Sequence, residues 1–330
     1  MTSPRRTLID TASTHYYHCI ARCVRRAWLC GQDDFSGNNY EHRRQWVIDR
    51  LQMLVNTFAI EVCAYAIMSN HYHLVLHINT AEVKQWCDRE VLKRWSQLFS
   101  GSTLVQRYLK DEKLSEAEQL QIDDYARKYR ERLQDISWFM RCLNEHLARE
   151  ANREDECKGR FWEGRFKSQA LLDEAALLTC MAYVDLNPIR AKMADTPEAS
   201  DYTSIQQRIT LPEANLTDKK TDLPLKPLRL PGQNPDEAIP FSRQHYFELV
   251  DWSGRILKPG KRGAISGDTP PILSRLGIDE KEWLKTISWN NRFRRAIGQL
   301  AAMQTFAEKQ GQNWFQGMLA CRRLYSGASL

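Results

Sequence analysis

No stretch of the chain approaches the roughly 20 consecutive apolar residues that a helical membrane span needs, so the sequence predicts no membrane partner. The opening residues, MTSPRRTLIDT, carry no apolar core of a secretory signal. The nine cysteines are an odd number, are scattered, and include no C-x-x-C pair. That pattern suits free thiols in a reducing compartment and predicts a cytoplasmic location. Internal repeats and low-complexity tracts are missing as well, and glycine and proline are unremarkable in number. What remains is an ordinary globular composition with a net charge of +6, which leans toward a nucleic-acid partner without deciding for one. At 330 residues the chain is long for a single core, and a main domain with an appendage is expected.

Residues 15–24, HYYHCIARCV, read as a strand, and 40–57 carry a helical stripe of Trp46, Val47, Leu51, Leu54 and Val55. Two strands follow, FAIEVCAYAIM and HYHLVLHI, joined by a polar turn at Ser69 and Asn70. Residues 81–99 and 115–151 read as helical, the second opened by a capping box of Ser115 and Glu118. A fourth strand is expected in GRFKSQALLD and a helix in DEAALLTCMAYVDLN. The order β-α-β-β-α-β predicts an α+β fold, a ferredoxin-like split βαβ antiparallel sheet with both crossover helices on one face. The expected organisation is a main domain over 1–208 with a helical elaboration at about 81–135, a proline-rich linker over 209–238, and a helical region over 239–330. Within that last region, 241–250, 279–287 and 291–320 are the expected helices.

The strand 69–78 poses the functional question. Its even positions, Tyr72, Leu74, Leu76 and Ile78, make an apolar face; the odd positions put His71, His73, Val75 and His77 on the other. Same-face neighbours lie about 6.6–7 Å apart, so the arms of His71 and His73 can converge on one ion, whereas His77 lies roughly 20 Å along the strand from His71. A bare H-x-H is more often a solvated strand than a metal pair, so its context must decide.

That context is YVDLNPIRA, residues 183–191. On a helical wheel Leu177, Leu178, Met181 and Val184 form the apolar stripe, and Tyr183 falls about 150° from its centre. Such a tyrosine is either a surface residue or one aimed at a target. Asn187 is one turn on, sharing its face, or else it caps a new helix begun by Pro188.

Taken together, MSNHYHLVLHI and GRFWEGRFKSQALLDEAALLTCMAYVDLNPIRAKM resemble the single-tyrosine HUH transposases of bacterial insertion sequences, and most closely their REP-associated branch. The resemblance covers about residues 14–210; the segment 81–135 and the tail 239–330 depart from it. It implies that Tyr183 is the nucleophile and that His71, His73 and Asn187 hold a divalent ion, Mg²⁺ or Mn²⁺, bound jointly with phosphate oxygens. The implied activity is metal-dependent nicking and strand transfer on single-stranded or hairpin DNA through a 5′-phosphotyrosine. An alternative is a domesticated protein that binds genomic repeats without moving its own gene. Both a homodimer and a monomer fit the sequence.

In RFWEGRFK, Arg160, Arg165 and Lys167 interleave with Phe161, Trp162 and Phe166, offering charge for phosphates and rings for unpaired bases. Arg160, Trp162, Arg165 and Lys167 are therefore the expected DNA contacts, with Arg22 a further candidate and Arg25 and Arg26 weaker ones. The competing reading puts the aromatic residues in the core. Asp185 and Glu163 are the available general bases, although solvated carboxylates near cations are common. His15, His18, Cys19 and Cys23 superficially suggest zinc, but their spacing fits no closed site.

Overall fold

A computed structural model describes residues 9–24, 28–33, 37–212, 215–216, 223–230, 232–233, 237–257, 269–288 and 295–326. Arg25 and Arg26 lie outside the described residues, as do the basic run KPGKRG at 258–263 and all but the last residue of NNRFRR at 290–295, both candidates from the sequence for an accessory DNA contact.

Strand β1 (Tyr16–Arg22) is followed by helix α1 (Arg43–Thr57), then by strands β2 (Ile60–Ile67) and β3 (His71–Ile78). Helices α2 (Thr80–Gln85), α3 (Asp88–Ser96), α4 (Thr103–Leu109) and α5 (Glu116–Arg132) come next, and α6 (Ile136–Glu154) leads to β4 (Lys167–Leu171). Then follow α7 (Glu174–Asp185), α8 (Asn187–Arg190), α9 (Ser204–Thr210), and the short strands β5 (Leu228–Arg229) and β6 (Ile239–Ser242). The chain continues through α10 (Arg243–Leu257), α11 (Pro271–Arg275), α12 (Glu280–Ser288), β7 (Ala296–Ile297), α13 (Leu300–Lys309) and α14 (Met318–Leu324). The fold is α+β.

Among the described residues the main sheet has five strands in the order β2-β3-β1-β4-β7. The first four pair antiparallel, and β7 adds parallel to β4 through Ala170 and Leu171. One face carries α1 and α6, which are linked by Arg50 Nε donating to the Cys142 carbonyl at 3.2 Å. Tyr72 belongs to this face: its hydroxyl donates to Asn144 Oδ1 on α6 at 2.7 Å. The even side chains of β3 therefore build the core, with Tyr72, Leu74 and Leu76 fully buried. Helix α7 lies on the opposite face.

Three long helical readings are broken, the first being 81–99, which is α2 and α3 separated by extended backbone at Trp86 and Cys87. The expected helix 115–151 is two helices: the Ser115–Glu118 capping box opens α5, and Asp135 restarts the chain as α6 by accepting from the Ser137 and Trp138 amides. The expected helix 291–320 is β7, α13 and α14, with Gly311 (φ +64°) and Gly317 (φ +111°) in left-handed conformations that end regular helix between them. Gly298 lets this segment approach the sheet, because a Cβ there would meet Asp173 Oδ2 and Leu172 Cβ at 2.9 Å.

Helices α3, α4 and α5 enclose a small core of their own, Leu92, Val105, Ile122 and Ala126. Residues 239–330 supply a strand as well as helices, and Trp283, Ile287 and Leu249 belong to the same buried cluster as the sheet. Where the proline-rich stretch is described it is packed: the Lys226 amide donates to the Val62 carbonyl at 2.8 Å, and its ammonium group meets Glu61 at 2.9 Å.

Candidate active site

Strand register brings distant residues onto one surface. Arg22 pairs with His71, Ile20 with His73, and His18 with Val75; on the other side of β1, His18 pairs with Gln169 and Ile20 with Lys167. Paired residues in an antiparallel ladder point the same way. The odd face of β3 therefore continues across β1 and β4 as His71, His73, His18, Gln169, Arg22 and Lys167.

Helix α7 covers this face. Asp173 caps it by accepting from the Ala176 amide at 2.8 Å, and its run of Ala, Leu and Met favours the helix. Tyr183 projects onto the histidines: its ring centroid lies 5.8 Å from that of His73 and 6.2 Å from that of His18, and the His71 and His73 rings are 4.9 Å apart. The helical wheel leaves Tyr183 off the apolar stripe, yet every α7 position from Ala175 to Asp185 is buried. The reason is tertiary: α7 lies between the sheet and helices α10 and α12.

The polar atoms at this junction are short of partners. Tyr183 Oη, His73 Nε2, Asn187 Nδ2 and Arg190 Nε are buried without a hydrogen-bond partner in the structure. Burial holds the Tyr183 phenol above its ordinary range, opposed by the charge of the Arg190 guanidinium, 4.0 Å over the ring, and by that group's approach to the hydroxyl as a donor. Burial also lowers the imidazoles, His71 and His18 to about 4 and His73 well below the usual value. All three are neutral at pH 7, the form that ligates metals.

The imidazole pair fits a divalent ion. His71 Nδ1 is engaged by Asn70 Oδ1 at 2.7 Å, which leaves Nε2 free to ligate, and His73 Nε2 is a buried atom with no partner. Asn187 fits less directly: its Oδ1 accepts from Arg190, so the carboxamide oxygen is shared with a cation. Nor does Asn187 cap α8, whose N-terminus makes no side-chain cap bond. Among the described residues no group of three or more His, Cys, Asp or Glu is arranged to hold a metal. Amide, phosphate or water oxygens must therefore complete any ion held by His71 and His73.

No protein-family model matches the chain, and no curated protein matches it. One solved structure, that of a REP-associated tyrosine transposase bound to a REP hairpin, aligns with a TM-score of 0.38 and 11% identity. The alignment covers 64% of this chain and 86% of that one. A likeness at this TM-score is too loose to assign an activity.

The expected DNA contacts divide into two groups. Arg22 and Lys167 are exposed on the histidine face, and Arg160 and Arg165 are exposed in the loop before β4. Trp162 is not brought to the site. Its indole N–H donates to the Asn144 carbonyl at 2.8 Å and its ring meets Tyr72 edge-on, on the α6 side of the sheet. Phe161 and Phe166 are buried, the core reading of those aromatic residues.

Asp185 is no base for this chemistry. Two residues from Tyr183, it points about 200° round the helix and is fully buried. It accepts from Ser204 Oγ, from the Ile205 amide at 2.9 Å, and from Tyr246 Oη. Burial pushes it up to about 6 despite these donors. Its work is to tie α7 to α9 and α10. Asp185→Ala leaves the buried Ile205 amide and Tyr246 hydroxyl unpaired and Ser204 Oγ with only the Tyr65 carbonyl, at 3.5 Å, as acceptor, and should destabilise the protein by about 3 kcal/mol, read from the denaturant midpoint. Glu163 is exposed beside β1, its amide donating to the Arg22 carbonyl at 2.8 Å. Cys19 is buried on the face opposite His18, which separates the residues of the suggested zinc cluster.

Sequence reading did not single out Arg190, Gln169, or His18 as part of this face. Helical spacing held the signal for Arg190, which follows Tyr183 by seven residues and Asn187 by three. Strand alternation from Tyr16 to Arg22 held it for His18.

Proposed function

We propose that the chain cleaves single-stranded DNA by direct attack of Tyr183 on a phosphodiester, and then transfers the strand. The phenol oxygen bonds to phosphorus, the 3′-oxygen leaves and takes a proton, and the DNA stays on the protein as a 5′-phosphotyrosine. Attack by a second 3′-hydroxyl reverses the step and joins new ends without an external energy source, because the phosphodiester bond energy is conserved. Hairpin or palindromic repeats are the proposed substrates, in keeping with the resemblance of the HYH and YVDLN stretches to REP-associated tyrosine transposases.

The reading is carried by one observation: the Tyr183 ring packs against that of His73, whose buried Nε2 is unpartnered, and the Tyr183 hydroxyl makes no well-formed hydrogen bond, with only the Arg190 guanidinium approaching it. The four-strand order β2-β3-β1-β4, with α1 and α6 on the face away from Tyr183, supports the split βαβ arrangement for the domain.

Ionising a phenol of ordinary pKa at pH 7 costs about 4 kcal/mol, and burial of Tyr183 adds to this. His71 and His73, with Asn187 once Arg190 shares or releases it, would hold Mg²⁺ or Mn²⁺. That ion would polarise the scissile phosphate and steady the developing charge. Arg190 lies over the Tyr183 ring and favours the phenolate electrostatically. Arg22 and Lys167 rim the same face, where they would meet phosphates, and Arg160 and Arg165 would extend that contact along the strand.

The test is to incubate the protein with labelled hairpin oligonucleotides and Mn²⁺ and look for label that migrates with the protein on a denaturing gel. The expected result is label retained when it lies 3′ of the cut and lost when it lies 5′ of it. Release of free ends with no protein-bound label would favour attack by water. Binding should also weaken with salt. Alanine at Arg22, Arg160, Arg165 or Lys167 should each reduce the slope of log affinity against log salt by about 0.7 for every phosphate that is no longer neutralised. Unchanged slopes would remove these residues from the interface.

A further inference from the structure

His18 sits two residues from Ile20, the register partner of His73, so the two histidines are diagonal neighbours on one face. Their rings stack at 5.1 Å, with an interplanar angle of 17°. His18 Nε2 lies 2.9 Å from His73 Nδ1, and His18 Nδ1 lies 3.4 Å from Gln169 Oε1. Both histidines are buried.

Donor counting gives this chain a direction. A neutral imidazole carries one proton, so a single N–H joins the two rings. Suppose His18 donates to His73. His73 must then carry its own proton on Nε2, a buried atom with no acceptor, and the bare His18 Nδ1 would face a carbonyl oxygen. In the other direction His73 Nδ1–H donates to His18 Nε2 and His18 Nδ1–H donates to Gln169 Oε1. Every N–H is then used, and the only unpartnered atom is the lone pair on His73 Nε2. An unpaired buried donor carries the full desolvation penalty, so the second arrangement is favoured.

We infer that His18, backed by Gln169, is a positioning residue that locks His73 in the tautomer with its Nε2 lone pair bare. His71 reaches the same state through the adjacent Asn70. The two imidazoles are thus preset by different means, one by its sequence neighbour and the other across the sheet. Hydrogen-bonded partners on the second ring nitrogen orient ligating histidines and raise their basicity. The consequence for metal rests on the proposed function; the tautomer does not.

The experiment uses the full chain, metal-free, at neutral pH, with ¹⁵N-labelled histidine. Imidazole ¹⁵N spectra, with the His73 signals identified by their loss in His73→Gln, should show His73 protonated at Nδ1. Protonation at Nε2 would overturn the inference whether or not the protein cuts DNA. His18→Leu removes the acceptor and should weaken Mn²⁺ binding, measured by calorimetry, by about 10–100-fold. His18→Gln keeps a carbonyl acceptor and should restore most of the affinity together with the Nδ1–H tautomer. Wild-type Mn²⁺ affinity in a folded His18→Leu would overturn the positioning role. Equal losses in His18→Leu and His18→Gln, with the tautomer unchanged in both, would do the same by reducing His18 to a packing residue. Absence of Mn²⁺ binding in the wild type would sink the metal-dependent reading instead, while the tautomer spectrum still decides the inference.

Discussion

Replacing Tyr183 with phenylalanine should abolish the covalent DNA adduct, lower cleavage by about 10⁴-fold or more, and leave the fold at least as stable. Losing a nucleophile usually removes nearly all of the chemistry it supports. The stability prediction separates this account from a structural one. The Tyr183 hydroxyl is buried and makes no well-formed hydrogen bond, the Arg190 guanidinium being the group that approaches it. Deleting it forfeits at most a poorly aligned contact with Arg190 and removes a desolvated polar group, so the effect on unfolding should be close to zero or favourable. If Tyr183 instead held α7 to the sheet through its hydroxyl, the variant would lose stability and keep any activity. Denaturant unfolding and the labelled gel, run on the same preparation, give the two numbers.

The second large effect concerns the histidines. The double variant His71→Ala with His73→Ala should lose Mn²⁺ affinity by at least about 100-fold and lose cleavage with it, because the loss of ligands exceeds the effect of changing the groups that orient them. His77→Ala is the informative control. It lies on the same face of β3, but its ring meets Glu61 at 2.7 Å, and Glu61 also holds Lys226. Its removal should leave Mn²⁺ affinity unchanged and cost stability, since it takes one partner from a partly buried ionic cluster. Equal metal affinity in all three proteins would remove the imidazole pair from the site.

Much of this arrangement was legible in particular residues. Alternation in HYHLVLHI separated a core face from a histidine face, and the Tyr72 bond to Asn144 lies on the core side. The spacing of Tyr183 and Asn187 brought both to one junction beside the strand that carries the imidazoles, although the helix expected to run through Asn187 stops at Asp185 and Asn187 opens α8. Other features depend on partners far away in the chain. A helical wheel counts one apolar stripe and cannot see that α10 and α12, arriving from residues 243–288, bury the other side of α7. Asp185 reads as a polar residue near Tyr183 until Ser204 and Tyr246 supply its donors. Trp162 reads as a base-stacking platform because cations flank it, yet an indole gains more from Tyr72 and the Asn144 carbonyl than from solvent. His18 was hidden by the nearby cysteines, which suggest a zinc spacing and draw attention away from strand alternation.

The most direct measurement of the central claim is the address of the covalent bond. Digestion of the cleaved complex at lysine and arginine yields the peptide 168–190, in which Tyr183 is the only tyrosine. Mass spectrometry of that peptide should show a nucleotide remnant on Tyr183, attached through its 5′-phosphate. A remnant on another residue, or an unmodified 168–190 peptide from DNA that has been cut, would contradict the account.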